Sequence, residues 1–380
     1  MVNKEEIEII NSTVPILQEK GVEITSLFYK RLFEQHPELR DVFNQPNQKQ
    51  GFQSTALATA VLAAAQHIDD LTPIVPVVMP VAHKHCALQV MPEHYPIVGE
   101  NLLIAIQEVT GLEADDPIIQ TWGKAYGEIA DAFIGIEKGL YAEMSWDGFK
   151  PFEVLAVRME TDIIKSFTVK SDEISSISYK PGQYITVDVQ VPGLPYRAKR
   201  HYSVVDVQAG KLTFAVRKED FNSNRGEVST YLHEDINAGD TINLSAPIGT
   251  FGVENADKPQ LFIGSGIGIT PLFPMYRETS GTNDDVQFIQ VSDNADNVAF
   301  ETELKNIAAN ENVQLHTHLR DKEGYLMSEE LKKFIKDDQE IYVCGGVTFI
   351  QSIVKELAKA GVDKGRIHYE LFVPRLATAV

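Results

Sequence analysis

The sequence predicts three domains in series: an all-α domain, a β-rich domain and an α/β domain with a parallel sheet. Three observations support this order. Apolar side chains recur at helical spacing through the first 145 residues. From about residue 147, short β-rich runs alternate with turn signals, which is typical of a small barrel or sandwich. After about residue 258, apolar strands alternate with helix-like segments, which indicates a series of βαβ units.

The composition excludes several classes of protein. The 34 Lys and Arg residues against 54 Asp and Glu residues give a net charge of −20. Binding to nucleic acid or to an anionic membrane surface requires a basic protein face. With this charge, we expect neither nucleic acid nor a membrane as a partner. No segment approaches the ~20 apolar residues of a membrane span. The acidic N-terminus is no signal peptide and the two cysteines form no disulfide framework, so we expect a cytoplasmic protein, and nothing demands more than a monomer.

The first domain, residues 1–146, is predicted to contain about six or seven helices. An early helical series consists of Ile7, Ile10, Val14 and Leu17. Prolines fall between the helical stretches, where helices should begin or end. They are Pro37, Pro46, Pro73, Pro92 and Pro117.

The second and third domains are predicted to cover residues 147–257 and 258–380. The β-rich runs of the second domain are 152–157, 163–169, 184–191, 202–207 and 212–216. The third domain has predicted strands at 260–263, 286–291, 313–318 and 341–344, and predicted helices at 271–279, 299–309, 328–335 and 348–360. A strand–helix alternation of this kind predicts a parallel sheet.

Two histidines of the first domain are candidate metal ligands. His83 and His85 are two residues apart, so a helix turns them about 200° from each other and they face opposite ways. Each shares its face with apolar residues, so periodicity does not choose between them. A zinc site would need more ligands, and no plausible set of Cys and His lies nearby in the sequence.

The second domain carries a basic cluster in an otherwise acidic chain, Arg197, Lys199 and Arg200, followed by His201-Tyr202-Ser203. A solvated basic turn is the simple alternative. The neighbouring segments favour a phosphate site, because Gly226 lets the backbone approach an anion and Ser229 follows at the start of an apolar run. An arginine offers a fixed fork of donors to a pyrophosphate. The aromatic rings Tyr184 and Tyr202 can lie against a flat cofactor.

The third domain opens with a glycine-rich turn between a strand and a helix. Its residues are Gly264, Ser265, Gly266, Ile267, Gly268, Ile269, Thr270 and Pro271. The order of strand, turn and helix suits a pyrophosphate, although Pro271 occupies the third glycine position of the common dinucleotide motif. Further on, Cys344-Gly345-Gly346 ends a strand. A buried cysteine with no role is the alternative for Cys344.

These motifs resemble the ferredoxin-reductase type of flavin and nicotinamide module. The resemblance rests on Arg-x-Tyr-Ser at 200–203, Gly-x-x-Ser at 226–229, Gly-x-Gly-x-Thr-Pro at 266–271 and Cys-Gly at 344–345. It implies FAD contacts for Tyr184, Arg200, His201, Tyr202, Ser203, Gly226, Val228, Ser229 and Phe372. It implies NAD(P) contacts for Gly266, Ile267, Gly268, Ile269, Thr270, Pro271, Cys344 and Gly345. Gly346 departs from the family, which has a proline there, and should loosen the turn.

The first domain resembles a bacterial globin of the flavohaemoglobin type. The matching segments are 29–33, 36–39, 43–45, 47–48, 53–57, 84–85, 93–99 and 122–126. With the reductase module behind it, the resemblance covers essentially the whole chain. It implies that His85 ligates haem iron and that its other nitrogen is bonded to Tyr95 and Glu137, although a solvated acid is the simple alternative for Glu137.

The same resemblance implies the remaining haem residues. Tyr29 would donate to bound O2, with Gln53 and Leu57 on the distal side and Phe43 against the haem plane. Core packing is the alternative for Tyr29, Leu57 and Phe43. Lys84 and Glu370 would tune electron flow between flavin and haem, and a surface salt bridge is the alternative for both.

The implied activity is that of a nitric oxide dioxygenase. One haem b and one FAD would carry electrons from NAD(P)H to O2, which converts nitric oxide to nitrate for detoxification. NADH is expected over NADPH, because no Arg or Lys follows the second strand at Ser292-Asp293-Asn294. The resemblance leaves open whether a lipid or other hydrophobic ligand occupies the distal haem pocket. The alternatives are an alkyl hydroperoxide or other-acceptor reductase, an O2-binding or sensing globin with a maintenance reductase, and a non-haem docking module.

Overall fold

The structure, a computed structural model, describes residues 2–43, 51–221 and 224–373. The described chain divides into two compact units. One unit contains the residues before Ser145 together with the segment 192–199 and Val373. The other contains residues 145–191 and 200–372. Within these ranges no helix is long and apolar enough to cross a membrane.

The first unit is helical, as the apolar spacing predicts. Its α-helices are α1 (Lys4–Gln35), α2 (Phe52–Gln66), α3 (Val75–Leu88), α4 (His94–Thr110) and α5 (Pro117–Glu143), with short 3₁₀ helices at Pro37–Asp41 and Thr72–Ile74. Prolines mark the breaks: Pro37 and Pro117 begin helices, Pro73 lies in a 3₁₀ helix and Pro92 lies between α3 and α4. The predicted break at Pro46 and the matching residues 44–50 lie outside the described residues.

Local sequence sets the ends of these helices. Asn3 and Glu6 form a capping box at the start of α1, in which each side chain accepts the backbone N–H of the other. Asp116 caps α5 by accepting from the Ile118 N–H, and Pro117 needs no hydrogen-bond partner at the first helical position. Gln89, with φ 62°, ends α3 shortly after His85.

The second unit begins with a closed antiparallel barrel. Its strands are β1 (Lys150–Thr161), β2 (Ile164–Lys170), β3 (Tyr184–Val189), β4 (Ala198–Gln208), β5 (Lys211–Arg217) and β8 (Thr241–Leu244), in the order β1-β2-β5-β4-β3-β8. Two further short strands, β6 (Asp220–Phe221) and β7 (Asn224–Arg225), pair with each other before helix α6 (Glu227–Glu234). Phe152, Phe167 and Phe214 are completely buried and fill the barrel. The expectation of a β-rich second domain is thus met as an antiparallel barrel.

A five-stranded parallel sheet follows. Its strands are β9 (Gln260–Ser265), β10 (Val286–Ser292), β11 (Gln314–Leu319), β12 (Glu340–Cys344) and β13 (Ile367–Glu370), in the order β11-β10-β9-β12-β13. The helices are α7 (Ile269–Ser280), α8 (Glu301–Glu311), α9 (Arg320–Glu323), α10 (Ser328–Leu331) and α11 (Val347–Lys359). The parallel sheet of the prediction is confirmed.

One predicted helix is much shorter in the structure. The sequence pattern predicts a helix at 328–335, but α10 ends at Leu331. The chain then continues in tight turns, in which the Phe334 N–H donates to the Leu331 carbonyl. The Phe334 carbonyl accepts a hydrogen bond from the side chain of Gln287, a buried residue of strand β10. Phe334 is thus bonded to the sheet and is not part of a continued helix.

Candidate functional sites

Three helices bring together the residues around His85. His85 lies on α3, Tyr95 on α4 and Glu137 on α5. The imidazole Nδ1 is 2.7 Å from Glu137 Oε1 and 3.2 Å from the Tyr95 hydroxyl. The Tyr95 hydroxyl donates to the same carboxylate oxygen at 2.6 Å, and Glu137 is only 2% exposed. These are the three partners that the family resemblance implies.

The hydrogen bonds fix what each group can do. Burial, and then the bond to Glu137, raises the pKa of Tyr95 above its ordinary value, so the phenol stays protonated and donates. With the carboxylate as acceptor, His85 donates through Nδ1, which leaves Nε2 as the nitrogen for a metal. Phe133 lies against His85, with ring centroids 5.6 Å apart. This contact is absent from the sequence reasoning, since one phenylalanine on a helix carries no separate signal.

His83 has different surroundings from His85 in the structure. The Nδ1 of His83 is buried without a hydrogen-bond partner in the described part of the chain, and burial lowers the pKa of this histidine.

Close packing between α4 and α5 orients Tyr95, because the Tyr126 hydroxyl donates to the Tyr95 carbonyl. A Cβ at Gly99 would lie 2.4 Å from the Tyr126 ring, so this glycine allows the approach of α4 and α5.

The second group of candidate haem residues lies on α1, on α2 and directly after the 3₁₀ helix Pro37–Asp41. Tyr29 and Phe43 make an edge contact, with ring centroids 5.6 Å apart, and Leu57 packs in the same apolar cluster. Burial raises the pKa of Tyr29 above its ordinary value, so its hydroxyl is a neutral donor. Gln53 Oε1 is buried without a hydrogen-bond partner among the described residues. An uncharged donor and an unsatisfied amide in an apolar wall suit a small uncharged ligand.

In the barrel, strand β4 carries the Arg-x-Tyr-Ser motif. Arg200 pairs with Glu227 at 3.0 Å, and both side chains are less than a fifth exposed. His201 Nδ1 lies 2.8 Å from Thr186 Oγ1, and its ring is 4.9 Å from that of Tyr184. Tyr202 stacks near Phe214 at 5.7 Å, and Ser203 is buried. The partners Glu227 and Thr186 follow from no sequence motif.

Helix α6 begins directly after Gly226. A Cβ at this glycine would lie 2.4 Å from Ser229 Oγ and 2.9 Å from Glu219 Cβ, so a larger residue would displace these two side chains. The Ser229 hydroxyl accepts from the Glu219 N–H at 3.1 Å, and Val228 is a buried core residue. The neighbouring Thr230 Oγ1 is buried without a hydrogen-bond partner in the described ranges. An unsatisfied hydroxyl in the first turn of a helix fits an anion such as phosphate.

The glycine-rich turn lies at the carboxyl end of strand β9. Gly266 has φ 55°, and the Thr270 hydroxyl donates to the Ile267 carbonyl at 2.7 Å. A Cβ at Gly268 would lie 2.4 Å from the carbonyl carbon of Cys344 and from the nitrogen of Gly345. The glycine-rich turn and the Cys344-Gly345 segment therefore pack together at the carboxyl ends of their strands, which is where open parallel sheets bind ligands.

The remaining members of this site have defined surroundings. Ile269, Thr270 and Pro271 are buried in the first turn of α7. The buried Cys344 lies opposite Glu370 in the sheet and donates weakly to its carbonyl at 3.5 Å. Burial raises the pKa of the Cys344 thiol well above its ordinary value, so the thiol is neutral at pH 7.

Gly346 and Phe372 complete the set. Gly346 has φ −65°, the value that a proline ring would fix, so the departure from the family motif leaves the backbone in a proline-like shape. Phe372 is 48% exposed, which leaves its ring available for a planar ligand. Lys84 is next to His85 on α3, and Glu370 ends β13.

Comparisons with known proteins agree with these modules. The Globin family model matches residues 26–133, and the oxidoreductase FAD-binding domain model matches residues 155–252. A flavohemoprotein of Bacillus subtilis is 40% identical over 406 residues, with 100% of this chain and 99% of that protein covered. A flavohemoprotein of Chromobacterium violaceum is 37% identical and covers 98% of both chains.

Solved structures show the same architecture. A flavohemoglobin of Malassezia yamatoensis, determined with FAD and heme bound, superposes with a TM-score of 0.86 at 23% identity and covers 97% of this chain and 99% of its own. The flavohem-like FAD/NAD binding domain of a nitric oxide dioxygenase from Vibrio cholerae has a TM-score of 0.53 at 29% identity, covering 58% of this chain and 97% of its own. From the full-length identity, this chain belongs to the flavohemoprotein family.

Proposed function

We propose that this protein is an NAD(P)H-dependent nitric oxide dioxygenase that converts nitric oxide and O2 to nitrate. Membership of the flavohemoprotein family supports an electron-transfer chain of globin, FAD and nicotinamide modules. The similarity to a domain of a nitric oxide dioxygenase supports the specific activity. The contact between His85 and the buried Glu137 is the observation that carries the proposal, because a carboxylate bond to a proximal histidine favours O2 activation over simple storage.

The residues of the first unit fit a haem b. His85 would ligate the iron through Nε2, since Nδ1 is held by Glu137 and Tyr95. A bound haem would supply the redox-active iron for the chemistry of O2 and nitric oxide. The chain's part is to hold the imidazole in one tautomer and to keep it electron-rich through Glu137.

The Tyr29 side of the helical unit would form the distal wall. The neutral Tyr29 hydroxyl can donate a hydrogen bond to a small oxygen ligand, and Gln53 has an unsatisfied buried oxygen that can orient a donor. Phe43 and Leu57 exclude water from this wall through the apolar cluster they join. We also propose that this apolar wall admits a lipid or other hydrophobic ligand.

The barrel and the sheet would hold FAD and the nicotinamide nucleotide. A bound FAD would supply the conversion of a two-electron hydride donor into single-electron transfer. We assign the flavin pyrophosphate to Arg200 and to the first turn of α6, where Thr230 is unsatisfied. Tyr202 and Ser203 would position the isoalloxazine edge, with Tyr184, His201, Gly226, Val228, Ser229 and Phe372 around it. Gly266 to Pro271 and Cys344-Gly345 would hold the nicotinamide nucleotide.

We propose NADH as the preferred donor. Asp293 follows strand β10 and forms an ion pair with Arg320 at 2.9 Å. This ion pair occupies the Arg320 guanidinium, which could otherwise bind the 2′-phosphate of NADPH. A carboxylate at this place suits the ribose hydroxyls of NADH. A higher kcat/KM with NADPH than with NADH would contradict this assignment.

Several further assignments belong to the same proposal. We place the three functional modules at residues 1–146, 147–257 and 258–380, supported by the barrel and sheet bounds. Lys84 and Glu370 are proposed to tune electron flow between flavin and haem. A monomer in the cytoplasm fits the two buried free cysteines, which a reducing compartment keeps as thiols.

The test is nitrate formation by the purified holoprotein with NADH, O2 and nitric oxide. We expect nitric oxide consumption to be matched by nitrate and to stop when NADH is withheld. Faster NADH oxidation with an alkyl hydroperoxide than with nitric oxide would favour the other-acceptor reductase. O2 binding without nitrate turnover would favour an oxygen store or sensor. Either result would overturn the proposal.

A further inference from the structure

Four potential metal ligands gather at the edge of the parallel sheet, apart from the motifs already described. They are His316, His318, Glu323 and Glu330, and one ligand atom from each lies within 4.8 Å of the others. Strand β11 is one of the two edge strands of this sheet, and residues two apart on a strand face the same side. Glu323 ends α9 and Glu330 lies in α10, so two following segments bring carboxylates to the two histidines.

His318 is the residue that points to a ligand. It is completely buried, and its Nε2–H donates to the Gly324 carbonyl at 2.9 Å. In the neutral ring this bond leaves a lone pair on Nδ1. That nitrogen has no hydrogen-bond partner in the described structure, although Glu330 Oε1 is 3.4 Å away and Glu323 Oε2 is 3.7 Å away. In that neutral tautomer, a buried lone pair faces two carboxylates, and a cation bound between them would remove the repulsion.

His316 repeats this observation. Its Nε2 is also buried without a hydrogen-bond partner among the described residues. The rings of His316 and His318 have centroids 6.2 Å apart. Each of the two histidines in this cluster of four ligand atoms thus has one buried ring nitrogen without a hydrogen-bond partner among the described residues.

The distances suit a tetrahedral ion. Ligand atoms about 2.0–2.1 Å from zinc in a tetrahedral site lie about 3.3 Å from one another. The separations of 3.4 Å and 3.7 Å from His318 Nδ1 to the two carboxylates need only small side-chain shifts to reach this value. Imidazole nitrogens favour zinc over magnesium or calcium, which prefer oxygen ligands.

Outer contacts hold the ligands in place. The Gly324 carbonyl fixes the tautomer of His318, as a backbone carbonyl does for many zinc-bound histidines. The Leu319 N–H donates to Glu323 Oε1 at 2.9 Å and orients that carboxylate. The two negative charges of Glu323 and Glu330 would balance a divalent ion.

We propose that these four side chains form a structural zinc site. The ion would join the edge strand β11 to the segment that contains α9 and α10. Four protein ligands close the coordination shell, so the site stabilises the domain and has no open position for a substrate. The site is independent of the nitric oxide dioxygenase activity.

The experiment measures zinc binding to the full-length holoprotein. The protein is dialysed against EDTA, titrated with zinc in the presence of a chromophoric chelator and analysed for bound zinc after desalting. The variants are His316→Ala and Glu330→Gln. Glu329→Gln is the matched control, because this neighbouring carboxylate is exposed and pairs with Lys332 instead.

We expect the wild-type protein and the control to bind one zinc per chain. His316→Ala and Glu330→Gln should each weaken binding by about tenfold or more. Zinc should raise the Tm of the wild type and of the control, but not that of Glu330→Gln. Equal zinc affinity in the wild type and both ligand variants would place the ion elsewhere and overturn the proposal. A wild-type protein that binds no more zinc than the two ligand variants would also overturn it.

Discussion

At the scale of single residues, His85 and His83 show what the sequence leaves open and the fold decides. Helical periodicity makes the two equivalent, because each shares a face with apolar neighbours. In the structure His85, and not His83, contacts Tyr95 and Glu137, which belong to two other helices. Family resemblance names this set, but spacing alone could not, since the contacts span 10 and 52 residues.

Replacing His85 with alanine should abolish haem retention, because the only proposed protein ligand to the iron is lost. His83→Ala is the matched control from the same helix turn, and we expect it to keep its haem. The Soret band of the purified variants measures both outcomes. A normal Soret band in His85→Ala would refute the ligand assignment.

Glu137→Gln should lower nitric oxide turnover roughly 10- to 100-fold while haem is retained. The amide cannot accept as strongly as the carboxylate, so the imidazole of His85 becomes less electron-rich. Glu143→Gln, six residues further along the chain at the end of α5, is the control. Stopped-flow reduction of the haem and steady-state nitrate formation provide the readouts, and equal rates in both variants would remove Glu137 from the mechanism.

Tyr29→Phe should speed O2 release. A hydrogen bond to a partly charged acceptor is worth about 1.5–3 kcal/mol, which corresponds to roughly 10- to 150-fold in the dissociation rate. Tyr325→Phe is the control, because that ring is 73% exposed on the second unit. Flash photolysis or ligand exchange measures the rate, and an unchanged rate in Tyr29→Phe would exclude this role.

At the scale of elements, long periodic segments are predictable and short ones are not. The helices of the first unit and four of the sheet strands follow from apolar spacing. The short strands β8 and β13 have four residues each, too few for a periodic signal. The helix predicted at 328–335 stops at Leu331 because Phe334 bonds to Gln287, and no local pattern reports such a distant partner.

The glycine-rich turn gives an element-scale prediction. Gly268→Ala would place a methyl group 2.4 Å from the backbone of Cys344 and Gly345, so the turn must move away from the neighbouring strand end. We expect the KM for NADH to rise about 10- to 100-fold, since small displacements of a positioning element have effects of this size. NADH titration with ferricyanide as acceptor measures this change without using the haem.

Gly281→Ala is the control for this turn. The added methyl group would meet only the Glu278 carbonyl at an ordinary 3.6 Å, at the other end of the same helix. An unchanged KM in Gly268→Ala would show that the turn does not position the nucleotide.

At the scale of the whole molecule, changes in sequence pattern reveal the order of the modules, and the comparisons confirm it. The net charge of −20 describes the chain as a whole, whereas chemistry depends on local exceptions such as Arg200 beside Glu227. The cluster of His316, His318, Glu323 and Glu330 was missed by sequence reasoning. The only local sequence signal of this cluster was the pair His316 and His318 on a predicted strand. The folded chain brings the two carboxylates to these histidines.

The stoichiometry of nitrate to NADH tests the central claim most directly. Conversion of one nitric oxide and one O2 to nitrate consumes one electron, while NADH supplies two through a flavin that releases them singly. The account therefore predicts two nitrates for each NADH oxidised by the holoprotein under O2 and limiting nitric oxide. NADH oxidation that yields hydrogen peroxide or superoxide, with no nitrate, would contradict it.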